Sequence, residues 1–198
     1  PRFSQADHAI DAALAGVGVV LGRRALVIKD LADGRLVAPY GIAIATGAIM
    51  VVLEQVPAQP LKFYDEPKAL TEDALVAYSW EKVMATGDAT WAAYLPMTKA
   101  SVRAMDTAQA YVKAKLGRSI SDFIVTGFSK RGAIAWLTAA IDPRVTAVAP
   151  GVFNVLKMDQ QLKRHFNAYG QYSFAVHDYV ERKLMQRLDT ARGVFLRS

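Results

Sequence analysis

The sequence predicts an α/β protein with a mostly parallel sheet, flanking helices and a helical region at its C-terminal end. Three observations carry this prediction. Short β-rich runs alternate with helical stretches in the order strand, helix, strand, helices, strand, helix, strand, and parallel strands need such crossovers. The run 48–55 (Ala-Ile-Met-Val-Val-Leu-Glu-Gln) is apolar on both faces, as a strand buried in a parallel sheet is. A third β-rich run ends in Gly127-Phe128-Ser129-Lys130-Arg131-Gly132, and a helical pattern starts directly after it. A helix bundle is the structural alternative on pattern reasoning alone.

Taken in order, residues 25–29 (Ala-Leu-Val-Ile-Lys) read as a strand, and Asp33-Gly34 reads as a turn. Residues 37–46 read as a helix with Pro39 near its start and Gly47 at its end. The strand 48–55 follows. Pro57 and Pro60 then impose an extended loop, because proline has no N–H to give a helix and restricts the residue before it. Thr71 begins a helix whose first turn carries Glu72 and Asp73, where the helix dipole favours anions. It runs to about Thr86, and Gly87 stops it. A second long helix follows Pro96. Its apolar residues Val102, Met105, Ala108, Val112 and Leu116 recur at three- and four-residue spacing, and Gly117 closes it. Residues 122–126 form a strand, 133–140 a helix with Trp136 in its core face, and 145–149 another strand after the Asp142-Pro143-Arg144 break. From 155 to 188 the pattern is polar, aromatic and mostly helical.

Composition narrows the function classes. With 198 residues the chain suffices for one domain with a sizeable core, and 1–198 is read as a single domain. Apolar residues at 53% and charged residues at 21% exclude a disordered chain. No apolar run reaches the ~20 residues that cross a bilayer, so no membrane span is expected. The apolar stretch 9–20 is interrupted by Asp11 and followed, not preceded, by Arg23 and Arg24, the wrong charge order for a signal peptide. A start at Pro1 is compatible with a removed leader. The absence of cysteine excludes disulfides, thiolate catalysis and cysteine metal sites, and it fits a cytoplasm or a periplasm equally. The net charge of +6 is scattered rather than gathered into a stripe, so no nucleic-acid partner is expected. No His-x-x-x-His pair, phosphate loop or G-x-G-x-x-G turn occurs, so neither a metal nor another cofactor is expected.

The chemistry-bearing segment is the turn around Ser129. A hydroxyl on a sharp strand-to-helix bend stands clear of the sheet, and the helix N-terminus behind it favours developing negative charge. Ser129 is therefore the expected nucleophile. Gly127 removes a side chain that would crowd the bend. The N–H of Lys130 is the expected oxyanion donor. Phe128, Arg131 and Gly132 complete the elbow. The common spacing is G-x-S-x-G; here the second glycine lies one place later. The alternative is a serine that merely caps the following helix.

The block Gly127-Phe128-Ser129-Lys130-Arg131-Gly132, with 136–140 (Trp-Leu-Thr-Ala-Ala) and 142–145 (Asp-Pro-Arg-Val), resembles the PhoPQ-activated pathogenicity-related family of bacterial α/β-hydrolase-like proteins. The likeness extends upstream through 55–61, 70–75, 77–80, 95–100 and Ala104-Met105-Asp106. It extends downstream to Tyr169-Gly170 and Asp178-Tyr179, covering roughly 45–180. The elbow also resembles the G-C-S-R-x-G turn of glucuronoyl esterases, in which the basic residue after the serine assists at the oxyanion; by that likeness Lys130 lends its charge as well as its N–H. The resemblance implies a three-layer α/β-hydrolase-like fold and a serine hydrolase acting on an ester, lactone or amide. Its partner would be a small-molecule acyl substrate. It also implies a lid-like role for the helical region of about 155–198. The resemblance does not give the compartment: a bacterial cytoplasm and a periplasm both fit.

A serine nucleophile needs a base, commonly a histidine held by a carboxylate. After Ser129 the sequence offers only His165 and His177, both at ordinary helix positions. Asp142, Asp159 and Asp178 read as capping or surface residues, and Asn154 as an amide where some hydrolases hold an acid. The segment 28–31 lacks the glycines that a second oxyanion donor commonly uses. Two readings follow: a segment of a longer hydrolase whose acid and histidine lie further on, or a short, catalytically incomplete α/β-hydrolase-like binding protein. Exposed aromatics among Phe166, Tyr169, Tyr172, Phe174 and Tyr179 would favour a homo-oligomer.

Overall fold

The computed structural model describes residues 47–153 and 157–187. The strand expected at 25–29, the turn at 33–34 and the helix at 37–46 lie outside the described residues, as do His8, the segment 28–31 and Asn154. Among the described residues the protein is mixed α/β, with five α-helices and a two-stranded parallel sheet. The chain divides into two compact units, one formed by residues 1–54 and 101–153, the other by 55–100 and 154–198.

In the second of these, helix α1 (Glu72–Thr86) is the core element. Thr71 precedes it but makes no side-chain cap. Gln59 takes over: its carbonyl oxygen accepts from the Glu72 N–H at 2.8 Å, and its amide donates to the Glu72 carboxylate at 2.6 Å. An antiparallel bridge between Leu61 and Leu70 brings that loop into place. Leu75, Val76, Ala77, Tyr78, Val83 and Met84 are buried. Gly87, at φ 76°, ends the helix in the left-handed conformation that glycine adopts most easily.

Tyr78 sits against Phe63 with ring centroids 4.2 Å apart and donates to Asp65 at 2.8 Å. Burial first, and the hydrogen bond to Asp65 second, push its pKa up to about 12. Helices α4 (Met158–Tyr169) and α5 (His177–Glu181) follow in this unit. Just after α5, Arg182 pairs with Glu66 at 2.9 Å and Glu81 at 2.5 Å. Leu184 inserts beside Ala77 and Met84, with Trp80 and Tyr179 packed against the cluster.

Helix α2 (Tyr94–Leu116) contributes to both units. It starts two residues before Pro96, which the first turn tolerates because those N–H groups have no helical acceptor. Val102, Met105, Ala108 and Val112 form the expected inward stripe; Leu116, in the last turn, is exposed.

The unit of residues 101–153 is built on strand β1 (Phe123–Phe128), helix α3 (Lys130–Ile141) and strand β2 (Val145–Gly151). The strands pair in parallel from Ile124–Ala147 to Phe128–Gly151, with a register irregularity at Phe123. Two expectations change here. The run 48–55 is not in the sheet, and Ile49, Met50, Val51, Val52 and Leu53 are exposed. Trp136 is not in the core: α3 buries Gly132, Ala133, Ile134, Ala135 and Thr138, which leaves Trp136, Leu137 and Ile141 on the opposite, exposed face.

Candidate active site

The two ends of the β1–α3–β2 unit do different work. At the amino ends of the strands, Arg144 makes a network. Its guanidinium donates to Asp142 at 2.6 and 2.9 Å and to Gln109 at 2.6 Å, and it lies 2.8 Å from Asp106. The Arg144 carbonyl accepts from the Phe123 N–H at 2.8 Å. Arg144 holds the Asp142 carboxyl below the ordinary aspartate range; Arg103 first, and Arg144 second, do the same for Asp106. Asp142 is thus a structural residue tied to the turn, in keeping with its capping role in the sequence reading.

The carboxyl ends carry the bend. Ser129 is exposed, at φ 55° and ψ −127°, between the last residue of β1 and the first of α3. That backbone lies outside the regions a residue with a side chain normally occupies, and such strain costs roughly 1–3 kcal/mol. Its hydroxyl makes no capping bond to α3. The capping alternative therefore loses its physical basis: the strained bend brings no compensating side-chain hydrogen bond. The Ser129 N–H donates to the Gly151 carbonyl at 3.0 Å, and the Ser129 carbonyl accepts from Gly132 at 2.8 Å and Ala133 at 3.2 Å. The bend is thereby locked on both sides.

Glycines make this packing possible. A Cβ on Gly127 would lie 2.5 Å from the Arg131 carbonyl oxygen, and one on Gly132 would lie 3.0 Å from both the Gly151 carbonyl and the Phe153 Cβ. At Gly132, therefore, α3 packs tightly against the end of β2. This accounts for a glycine three places after the serine. On Gly151 a Cβ would meet the Phe128 ring at 2.3 Å. Sequence reasoning missed Gly151 and Phe153; the strand 145–149 was read two residues short, so the glycine opposite Phe128 fell outside it.

Lys130 is buried at 5% exposure, and Arg131 is half-buried. Neither belongs to a freely solvated surface. As the first residue of a 12-residue helix, directly after Ser129, Lys130 has its N–H at the positive end of the α3 dipole.

His165 and His177 belong to the other unit. The His165 ring packs on Tyr169 at 4.7 Å. His177 is exposed, pairs with Glu181 at 3.0 Å one helical turn on, and stacks on Phe174 at 5.5 Å. Near it, Phe166, Tyr172, Phe174, His177 and Val180 line a shallow surface groove. Among the described residues of the unit that carries Ser129 there is no histidine. Also among the described residues, no cluster of metal-ligating side chains occurs and no helix is long and apolar enough to cross a membrane.

A family model described as PhoPQ-activated pathogenicity-related protein matches residues 32–198. The autocrine proliferation repressor protein A of Dictyostelium discoideum is 38% identical over 156 residues, which is 78% of this chain and 31% of that protein. The chain thus spans about a third of the length of that relative. No solved structure matches.

Proposed function

The chain belongs to the PhoPQ-activated pathogenicity-related protein family, and from that premise we propose that Ser129 is the nucleophile of a serine hydrolase acting on an ester, lactone or amide. The observation that carries this reading is the strained, exposed backbone of Ser129 on a strand-to-helix bend with no capping bond. Strain held by the surrounding packing and unrelated to any local hydrogen bond of the side chain is a mark of function. A three-layer α/β-hydrolase arrangement, of which β1–α3–β2 is the nucleophile-bearing part, is included in the proposal.

In this reading the Ser129 oxygen forms a bond to the acyl carbon. Its proton passes to a general base and then to the departing alkoxide or amine as the scissile bond breaks. Water then attacks the acyl-enzyme, the base takes the proton of that water and returns one to the Ser129 oxygen, and the carboxylic acid leaves. The Lys130 N–H and the dipole of α3 stabilise the oxyanion. His165 and His177 remain the sequence's own offers for the base.

A second reading has its own support. A relative named for repressing proliferation favours a catalytically incomplete binding protein that uses the same bend. Hydrolysis of p-nitrophenyl acetate by the full chain separates the two. The hydrolase reading expects an initial burst of p-nitrophenol and a loss of at least about 10³-fold in Ser129→Ala. Equal rates in the two proteins would favour the binder.

A further inference from the structure

We propose that Val152 is the specificity-determining residue beside Ser129 and selects acyl groups that are unbranched next to the carbonyl carbon; this rests on the reading of Ser129 as nucleophile. The register of the two strands ends at Phe128 and Gly151, so Ser129 and Val152 are the first residues beyond the paired ends of neighbouring strands, and the Ser129 N–H is bonded to the carbonyl of Gly151, the residue before Val152. Both residues leave their strands with positive φ, 55° for Ser129 and 50° for Val152. A β-branched residue in that region is a backbone outlier, and among the described non-glycine residues with positive φ Val152 alone is β-branched.

Packing does not explain this valine. Its neighbours on both sides touch the elbow: the Gly151 carbonyl accepts from the Ser129 N–H at 3.0 Å, and the Phe153 Cβ lies 3.0 Å from where a Gly132 Cβ would be. Val152 itself is 48% exposed between those two contacts. Burial of its side chain does not offset the strain, and glycine would adopt the same backbone freely. What valine adds over glycine is a branched, half-exposed wall at the carboxyl ends of two parallel strands, where ligands of open α/β sheets bind. A wall there crowds an acyl carbon bearing a branch and admits a straight chain.

Two fluorophosphonate probes test this on the full chain. Both carry the same reporter and differ only in whether the carbon bonded to phosphorus is straight or branched. Attack by the Ser129 oxygen forms the O–P bond, fluoride leaves, and the hydroxyl proton passes to the base. The branched-to-straight ratio of labelling rates is expected to rise about tenfold in Val152→Ala and further in Val152→Gly. Val152→Gly also relieves the strained backbone, so it remains informative if Val152→Ala folds poorly; thermal unfolding checks both. Labelled wild type with a ratio unchanged within twofold in both variants overturns the role of Val152 while leaving the nucleophile standing. Wild type left unlabelled at Ser129 overturns the nucleophile, and this inference with it.

Discussion

The Ser129 amide donates to the Gly151 carbonyl at 3.0 Å, so the hydrogen bonding between β1 and β2 continues past the last strand residue and into the bend. The turn is held by the sheet from one side and by the Gly132 and Ala133 amides from the other. A strained serine persists because its surroundings leave it no relaxed alternative.

Substitution at Ser129 itself tests that claim. Ser129→Gly relieves the positive φ, whereas Ser129→Ala keeps it. The glycine variant is expected to be more stable than the alanine variant by about 1 kcal/mol, the strain relief exceeding the extra backbone entropy of glycine. Urea unfolding of the two proteins measures this. Equal midpoints would mean that the bend stores no strain.

Gly127 and Gly132 should differ in severity. Gly127→Ala pushes a methyl to 2.5 Å from a backbone oxygen that cannot step aside, and the expected loss is toward the upper end of the ~1–3 kcal/mol of overpacking. Gly132→Ala meets its neighbours at 3.0 Å and should cost less. Thermal unfolding ranks them, and the opposite order would contradict the packing described.

Gly151 and Phe128 should be energetically coupled. The obstacle to a side chain on Gly151 is a ring, not backbone, so shortening Phe128 to leucine should recover part of what Gly151→Ala loses. A double-mutant cycle is expected to give a coupling of about 0.5–3 kcal/mol. Additive effects would separate the two residues.

Arg144 gives the pH dependence. Asp142 and Asp106 have carboxyl pKa values depressed in the fold, so the stability they contribute is present above the ordinary aspartate value of about 4. It is lost as pH falls through their lower folded values. Unfolding midpoints measured between neutral pH and pH ~3 should fall steeply in wild type and less steeply in Asp142→Asn. Arg144→Lys should be less stable than wild type at neutral pH, because an ammonium does not reproduce the two-pronged contact with Asp142.

The bend was legible in the sequence because its determinants are local: a β-rich run, a glycine, a serine and a helical pattern within about ten positions. The caps at Gly87 and Gly117 were legible for the same reason. The Arg144 network was not, since its partners Asp106, Gln109 and Asp142 are brought together by the tertiary fold; Asp106 and Asp142 stood in blocks that carried the family resemblance, and Gln109 left no sequence trace. The run 48–55 shows the converse. Apolar character on two faces reports a preference for burial, not a pairing partner, and these residues stand outside the two-stranded sheet. Trp136 failed in a similar way, because aromatic character does not say which face of α3 meets the strands.

The proposed chemistry turns on one atom, the Ser129 Oγ. Treatment of the full chain with a fluorophosphonate, followed by proteolysis and mass spectrometry, should find the adduct on the peptide containing Ser129 and no adduct in Ser129→Ala. An unmodified Ser129 in folded protein, or an adduct on a different residue that survives Ser129→Ala, would contradict the account.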